Sequence, residues 1–314
     1  MSVVEEAASR AAPVAVERRR KPRPKWKDTW WRHVVAILAV AFALFPVAYI
    51  VSASFNADET LGAAKLIPRK VTLDNFSELF TNKKENARAT PTTASRYGRW
   101  YLNTMVVAAV TSLLTVMLGA IAAYAFSRFR FKGRRMGLVA LLLIQMFPAL
   151  LAVVAIYLIV LHVGDVFPRI GLNTLSGLIL VYLGGVMGIN TWLMKGFFDS
   201  IPTELDESAR VDGATPAQIF WGVVLPLAAP VLAVIALLSF IGVINEYIIA
   251  SVILQTSGKW TLPVGMFGYI SDQYAQHWGP FSAGVVLLGI PVVIVFMLLQ
   301  PFIVHGLTQG SVKG

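Results

Sequence analysis

The chain contains six apolar stretches, each long enough to cross a membrane as a helix. They run roughly over residues 33–54, 102–126, 136–160, 174–194, 227–250 and 281–303. A helix needs about 20 mostly apolar residues to cross a hydrocarbon layer of about 30 Å. Charged residues make up 14% of the 314 residues, whereas soluble proteins usually reach about 25%. We therefore expect an all-α polytopic membrane protein with six transmembrane helices.

The distribution of basic residues predicts the orientation of these helices. Nine Lys or Arg precede the first stretch and five lie in 128–135, whereas the loops after the third and fifth stretches carry only Arg169 and Lys259. Since short cytoplasmic loops are enriched in Lys and Arg, both termini are predicted to be cytoplasmic. The segment 55–100 carries eight basic and five acidic residues. Because long loops cross the membrane largely regardless of charge, we expect it to be an extracytoplasmic loop.

The same pattern divides the chain into two predicted regions. Residues 1–32 form a basic cytoplasmic extension, and residues 33–314 form a transmembrane domain that includes the 55–100 loop and a polar segment at 203–226. The first apolar run is about 22 residues long, which exceeds the 7 to 15 apolar residues of a cleaved signal peptide. It is therefore predicted to remain as a membrane span. The net charge of +10 is explained by topology rather than by nucleic-acid binding.

The polar segment 203–226, between the fourth and fifth spans, is predicted to form a hairpin of two short helices. Thr203 is placed to cap the first helix with Asp206 three residues later. Gly213 can end that helix in a left-handed conformation. Thr215-Pro216-Ala217-Gln218 then provides a cap, a first-turn proline and a capping-box glutamine. The alternative is an amphipathic loop that lies on the lipid headgroups.

The hairpin resembles the signature of the membrane subunits of ABC importers, known as the EAA motif. That signature is Glu-Ala-Ala, then Gly after three residues, then Ile-any-Leu-Pro after nine more. Here it reads Glu207-Ser208-Ala209, Gly213 and Val223-Val224-Leu225-Pro226, with every spacing kept. From about residue 33 to the end, including Gly171–Thr174 and Gly306–Gly314, the chain looks like the smaller permease subunit of maltose and maltodextrin importers.

This resemblance implies three sites. A cytoplasmic coupling helix would seat in a cleft of an ATPase subunit through Glu207, Ser208, Ala209, Asp212, Gly213, Leu225 and Pro226. The tail would reach between the ATPase subunits with Gly310, Ser311, Val312, Lys313 and Gly314. A loop between spans five and six would enter the sugar site of a binding protein with Gln255, Thr256, Ser257, Gly258, Lys259 and Trp260. A frayed terminus and a plain connector are the alternatives for the tail and the loop.

The resemblance also implies a function and its partners. The chain would be one permease of an ATP-driven importer for maltose- and maltodextrin-type oligosaccharides in a bacterial cytoplasmic (inner) membrane. A homologous larger permease would complete the pore, beside a dimer of ATPase subunits and an extracytoplasmic sugar-binding protein. ATP and magnesium would bind to the ATPase, and no cofactor is expected in this chain. Trehalose, other disaccharides and glycerol phosphodiesters remain alternative cargoes.

The chain lacks the motifs of an enzyme. Its single Gly-Lys pair, Gly258-Lys259, is followed by Trp260, so the phosphate-binding loop GxxxxGK[ST] is absent. The sequences HExxH and GxSxG are also absent, the four histidines are widely spaced and there is no cysteine. We therefore expect no catalytic and no metal site. A secondary transporter, which usually shows repeated halves and charged groups at mid-membrane, and a membrane scaffold are the other functions considered.

Three polar residues interrupt the apolar spans. Gln145 and Asn190 are candidate pore-lining residues, and hydrogen bonding between helices is the alternative for both. Pro148, shortly after Gln145, is expected to kink the third span because proline removes a backbone hydrogen bond. Glu246, some 30 Å along a helix from Pro226, is expected to be a solvated carboxylate near the outer face.

Overall fold

The computed structural model describes residues 26–57, 68, 70–81, 96–271 and 277–309. The regular elements within these ranges are helical, and extended pairing there is limited to one antiparallel bridge between Asn56 and Val71. The α-helices are α1 (Trp26–Ser54), α2 (Asp74–Phe80), α3 (Tyr97–Arg128), α4 (Arg134–Gln145), α5 (Ala149–Val166), α6 (Leu175–Ser200), α7 (Thr203–Val211), α8 (Pro216–Ile219), α9 (Leu225–Leu227), α10 (Ala229–Asn245), α11 (Ile248–Ile253), α12 (Leu262–Phe267) and α13 (Trp278–Gln309). The predicted all-α class is confirmed.

Three continuous helices are long and apolar enough to cross a membrane: α3, and the parts Trp30–Ser54 of α1 and Trp278–Val304 of α13. Three helix pairs pass the same test only together, because each is bent by more than 40° at a short break. The described residues therefore contain three candidate spans, or up to six if each bent pair is one span. Each of the six predicted stretches overlaps one of these elements, and the third, fourth and fifth overlap the bent pairs.

Prolines explain two of the bends. Pro148 follows a turn at Met146 and Phe147, and its backbone is extended (φ −61°, ψ 118°), so α4 cannot continue into α5. The expected kink is a complete break. Before Pro226 the helix widens to a π-helix, Phe220–Val224, in which the Leu225 N–H donates to the Phe220 carbonyl. The helical segments 216–227 and 229–245 then meet at 77°.

The chain divides into two compact units, residues 1–47 and 48–314. In the first unit, the side chains of α1 are exposed from Trp30 to Val47 and nearly all apolar, as in a helix that contacts lipid or another subunit. In the second unit, α3 packs against α6 and α10. Small residues of α3 allow this close approach, since a Cβ added to Gly119 would lie only 3.2 Å from the Met194 sulfur.

Residues 55–100 are more ordered than the expected loop wherever the structure describes them. The short helix α2 lies within this segment, and α3 begins at Tyr97 rather than near residue 102. The buried Asn75 side chain donates hydrogen bonds to the carbonyls of Ser54 (3.0 Å) and Asn56 (2.8 Å). These bonds fix α2 to the end of α1, a contact that no local sequence pattern signals.

Candidate functional site

The hairpin 203–226 consists of α7 and α8, joined by a turn that Gly213 makes possible. Gly213 has φ +85°, in the left-handed region. Its N–H donates to the Arg210 carbonyl (3.0 Å), and the Ala214 N–H donates to the Ala209 carbonyl (2.9 Å). This pair of bonds is the Schellman motif, which satisfies the last carbonyls of a helix. The predicted role of Gly213 as the end of the first helix is confirmed.

The second helix of the hairpin has the predicted cap and the first does not. The Thr215 hydroxyl accepts from the Gln218 N–H (3.4 Å), and the Gln218 side chain accepts from the Thr215 N–H (2.8 Å). This is a complete capping box. The expected cap at Thr203 is wrong, because Thr203 is already the first helical residue. Pro202 occupies the capping position in an extended backbone and has no side-chain acceptor.

Thr215→Ala is expected to destabilise the protein by about 1 kcal/mol, since it leaves a helix N–H without its acceptor. For a chain of this size, the midpoint of thermal unfolding should fall by about 2 °C. Thermal unfolding of the detergent-purified protein measures the effect. Thr203→Ala is the matched control and should change stability by less than about 0.5 kcal/mol. Equal losses in the two variants would contradict the assignment of the cap.

A buried ion pair holds the first hairpin helix against α3. The Arg128 Nε lies 2.7 Å from the Asp206 Oδ2, and the two side chains are only 5% and 3% exposed. A second guanidinium nitrogen, Nη2, donates to the Ile201 carbonyl (3.0 Å). Within the described atoms, neither carboxylate oxygen of Asp206 makes an aligned hydrogen bond. The attraction of opposite charges is therefore what keeps Asp206 in place.

Further contacts join the base of the hairpin to α3 and α6. The Tyr124 hydroxyl of α3 donates to the Pro216 carbonyl of the hairpin (3.3 Å), and the Ser127 hydroxyl links α3 to Asp199 Oδ1 of α6 (2.7 Å). The rings of Tyr124 and Phe220 lie 5.1 Å apart. Together with the buried side chains of Met194, Phe198 and Ile219, they form an apolar cluster beneath the hairpin. The base is thus connected to two long helices at once.

The tip of the hairpin is exposed and carries most of the predicted coupling residues. Glu207, Ser208, Asp212 and Gly213 are exposed. Beside them, Leu205 is 43% and Val211 is 88% exposed, an unusual fraction for apolar side chains. The remaining predicted residues lie elsewhere, with Ala209 and Leu225 half-buried in the underlying cluster and Pro226 exposed at the base. An acidic surface with apolar side chains suits docking to a complementary groove.

The loop 255–260 is fixed by Asn173, which sequence reasoning did not single out. Asn173 has φ +57°, unusual for a residue other than glycine. Its side-chain oxygen accepts from the N–H of Gln255 (3.2 Å) and from the N–H and hydroxyl of Thr256 (3.1 and 3.0 Å). Lys259 donates to the Asn173 carbonyl (2.7 Å). Asparagine tolerates the left-handed region, which offered a weak signal at this position.

Residues in the N-terminal half of α3 also hydrogen-bond to the loop 255–260. The buried Trp100 donates from its ring nitrogen to the Ser257 carbonyl (2.6 Å). Asn103 donates to the carbonyls of Gly258 (3.3 Å) and Trp260 (3.0 Å). The loop is therefore anchored at both flanks, with the side chains of Gln255, Thr256 and Lys259 left exposed.

Gln145 and Asn190 both make hydrogen bonds between helices, the alternative to pore lining that the sequence allowed. Gln145 Nε2 donates to the Gly185 carbonyl (2.7 Å). A Cβ added to Gly188 would lie 2.8 Å from that same nitrogen, so the small residues of α6 let α4 come close. Asn190 is buried and donates to the Ser239 hydroxyl (3.3 Å). A pore-lining role for either residue remains a prediction.

Glu246 is not the solvated carboxylate that was expected. It lies at a break between α10 and α11, where it accepts from the N–H groups of Ile249 (2.7 Å) and Ala250 (3.0 Å). The Tyr182 hydroxyl of α6 also donates to it. The first N–H groups of a helix lack partners within the helix. Glu246 supplies acceptors for two of them in α11.

Two predicted regions lie outside the described residues. They are the tail 310–314 and residues 1–25 of the basic extension. Within the described part of the chain, no group of three or more acidic or histidine side chains is placed to hold a metal ion.

Comparison with known proteins gives consistent matches over most of the chain. A family model described as "Binding-protein-dependent transport system inner membrane component" matches residues 115–309. The maltose/maltodextrin transport system permease protein MalG of Vibrio vulnificus (strain YJ016) is 41% identical over 288 residues, covering 91% of this chain and 96% of that protein. The galactooligosaccharides transport system permease protein GanQ of Bacillus subtilis (strain 168) is 38% identical over 281 residues, covering 90% and 94%.

A solved structure has a similar fold. It is that of a bacterial ABC transporter involved in the import of the acidic polysaccharide alginate. One of its chains superimposes with a TM-score of 0.68 at 27% identity, covering 90% of this chain and 99% of that one.

Proposed function

Because the chain belongs to the family of binding-protein-dependent transport system inner membrane components, we propose that it forms half of the pore of an ATP-driven importer for maltose- and maltodextrin-type oligosaccharides. As a family member it is a multi-pass, non-catalytic permease subunit of an ABC sugar importer in the inner membrane, and a partner ATPase hydrolyses ATP. A homologous permease would complete the pore, and ATP with magnesium would bind to the ATPase dimer.

The observation that supports this proposal is that the hairpin has an exposed tip and a base fixed to α3. A push on α7 would pass directly to α3 through Arg128 and Asp206, since both side chains are buried and 2.7 Å apart. The bond from Tyr124 to the Pro216 carbonyl transmits the same push from α8. Packed interiors transmit displacement because they are not easily compressed. Closure of a docked ATPase dimer would therefore move the long helices rather than bend the hairpin.

The surface of the tip indicates what the ATPase cleft should look like. Because the carboxylates of Glu207 and Asp212 are exposed, we expect basic side chains at the rim of the cleft. The exposed Leu205 and Val211 call for an apolar floor. The tail from Gly310 to Gly314 would add a second contact between the ATPase subunits. The hairpin and both termini would then face the cytoplasm, as the basic residues predict.

The relatives support an oligosaccharide as cargo. The name of the 41% identical relative specifies maltose and maltodextrin, which supports an α-linked glucose oligomer. A galactooligosaccharide is the second candidate because the 38% identical relative is named for that substrate. An extracytoplasmic binding protein would deliver the sugar, and the loop 255–260 would contact that protein where it releases its cargo.

Co-purification tests this proposal directly. The chain is tagged and purified from native membranes, and the ATPase activity of the reconstituted complex is measured with its binding protein loaded with maltose, maltotriose or a galactooligosaccharide. Stimulation by maltose or maltotriose alone is the expected result. Stimulation by the galactooligosaccharide alone would support the importer function and show that the cargo is a galactooligosaccharide instead of maltose or maltotriose. If no ATPase subunit co-purifies, even after crosslinking through a cysteine introduced at Ser208, the coupling function is wrong.

Asn173→Ala should reduce the stimulation of ATP hydrolysis by loaded binding protein by about tenfold. The substitution removes an oxygen that accepts three hydrogen bonds, each contributing about 1 kcal/mol. The loop 255–260 would then lose its fixed position. Asn173→Asp is the control because it keeps an acceptor at the same place. Unchanged stimulation in Asn173→Ala would mean that the position of this loop does not affect the binding protein.

A further inference from the structure

A shallow cavity of about 650 Å³, largely open to the surface, lies beside the start of α4. Its walls include Phe131, Arg134, Arg135, Met136, Leu138 and Lys195. Lys195 forms an ion pair with Asp199, which also accepts from Ser127. Since Ser127 and Arg128 adjoin the base of the hairpin, the cavity is at the same end of the helical bundle as the hairpin.

The cavity has an excess of positive charge. Three of its lining residues are cations, and only Lys195 among them has a carboxylate within ion-pair distance in the described structure. Arg134 also attracts Asp199 without forming an ion pair with it, so both arginines keep N–H donors for a ligand. A guanidinium group offers paired N–H donors that fit two oxygens of a phosphate. The ligand chemistry that matches these groups is a phosphate ester.

An apolar stripe leads away from the cavity along α4. Met136, Val139 and Leu143 follow the spacing of one helical face, and all three are exposed, with Met136 at 72%. Phe131, also exposed, lies at the rim of the cavity. Trp192 contributes a half-exposed ring whose nitrogen donates to the Leu138 carbonyl (3.0 Å). Tryptophan is enriched at membrane interfaces, where one end of its ring is apolar and the other polar.

We propose that this cavity binds the phosphate of an anionic phospholipid, with Arg134 and Arg135 on the headgroup and the acyl chains along Met136, Val139 and Leu143. A free phosphate ester would meet the same guanidinium groups, but it would leave the apolar stripe uncovered. Basic cavities between membrane helices at the cytoplasmic side are suited to acidic headgroups. The proposal rests on the proposed function only for the orientation that places this end of the bundle at the inner leaflet.

Native mass spectrometry of the full-length chain, purified with the subunits that accompany it, provides the test. Phosphatidylglycerol or phosphatidylcholine is titrated into the detergent solution, and bound lipids are counted. Arg134→Gln/Arg135→Gln should bind phosphatidylglycerol about tenfold or more weakly, since each basic residue near an acidic lipid contributes about fivefold. Arg130→Gln/Lys132→Gln is the matched control, because it removes two charges just before α4, at positions outside the cavity lining. It should bind like the unmodified protein.

Three results would overturn the proposal. The first is equal binding of phosphatidylcholine, and the second is an equal loss in the matched control. The third is displacement of the lipid by millimolar glycerol 3-phosphate, which would identify a soluble phosphate ester as the ligand. Arg135→Gln, at an exposed position, provides a milder variant and should bind about fivefold more weakly if the double variant does not fold. Lipid counting needs neither ATP nor sugar, so its result is independent of the transport assay.

Discussion

Asp206→Asn should destabilise the protein by about 3 kcal/mol and stop ATP-driven transport. The substitution keeps the shape of the side chain and removes its charge, so Arg128 would remain buried without a counter-ion. Removal of one partner from a buried ion pair typically costs about 3 to 5 kcal/mol. The pair is 5% and 3% exposed, so water cannot compensate. Thermal unfolding in detergent and sugar uptake into proteoliposomes measure the two effects.

A double replacement separates the charge from the packing. In Arg128→Met/Asp206→Leu both charges are absent, and apolar side chains fill similar volumes. Replacement of a buried ion pair by apolar residues is often neutral or stabilising. We therefore expect the double variant to recover most of the stability that Asp206→Asn loses. If transport also recovers, a tight contact between the hairpin and α3 is sufficient for coupling. If stability recovers and transport does not, coupling needs the ion pair itself.

Glu204→Gln is the matched control for this experiment. It makes the same chemical change on the same helix, two residues away, at an exposed position. Exposed substitutions usually change stability by less than about 0.5 kcal/mol. If Asp206→Asn and Glu204→Gln unfolded at the same temperature, the pair with Arg128 would not be what holds the hairpin to α3.

The membrane helices were predictable because apolar length is a property of the local sequence. A run of about 20 apolar residues has few other ways to satisfy its backbone in lipid than as a helix. The break at Pro148 was also foreseeable, since proline acts on the residues next to it. The break at Glu246 was not foreseeable. Glu246 caps α11 locally through the N–H groups of Ile249 and Ala250, but glutamate is not among the residues that usually cap a helix. Its third hydrogen bond comes from Tyr182 of α6, far earlier in the sequence.

In the hairpin, too, features set by local sequence differ in predictability from features set by contacts between distant residues. The turn at Gly213 and the capping box of Thr215 with Gln218 involve residues within five positions of each other, and both were predicted. The pairing of Asp206 with Arg128 joins two helices that the fold brings together, so an acidic residue that looked like a cap partner is buried instead. Thr203 failed as a cap because Pro202 can take the same extended backbone.

The loop 255–260 was singled out through the resemblance, and its role stays a prediction, while its anchor Asn173 was not singled out. Asn173 is separated from the loop by six helices, α6 to α11, and its role depends on a left-handed backbone that many sequences could adopt. Most features set by neighbours along the chain could be predicted, with the caps of α7 and α11 as exceptions. Features set by packing between distant helices could not.

Gly213→Asp should leave the complex assembled, or weakly assembled, and reduce ATP-driven transport by about tenfold or more. Residues with a Cβ lose roughly 1 to 2 kcal/mol in the left-handed conformation, with Asn and Asp at the low end, and Gly213 has φ +85°. A shift of 1.4 kcal/mol changes the population of the docking conformation about tenfold. Among the described residues other than its chain neighbours, no heavy atom lies within 4 Å of a Cβ added at this position, so the isolated chain has room for a side chain. The defect should therefore appear in coupling rather than in folding.

Asparagine and valine at the same position test the cause. Asn tolerates the left-handed region and matches Asp in size, so Gly213→Asn measures what remains when the added charge is absent. Val is branched at Cβ and should be the most strained of the three. Transport is measured beside the ATPase activity and the amount of ATPase subunit retained on the tagged chain. If strain governs coupling, Asn and Asp should retain similar transport and Val the least, while the ATPase subunit is retained. Full transport in Gly213→Asp would contradict the proposed role of this turn, because the hairpin would then dock equally well with a side chain at its tip.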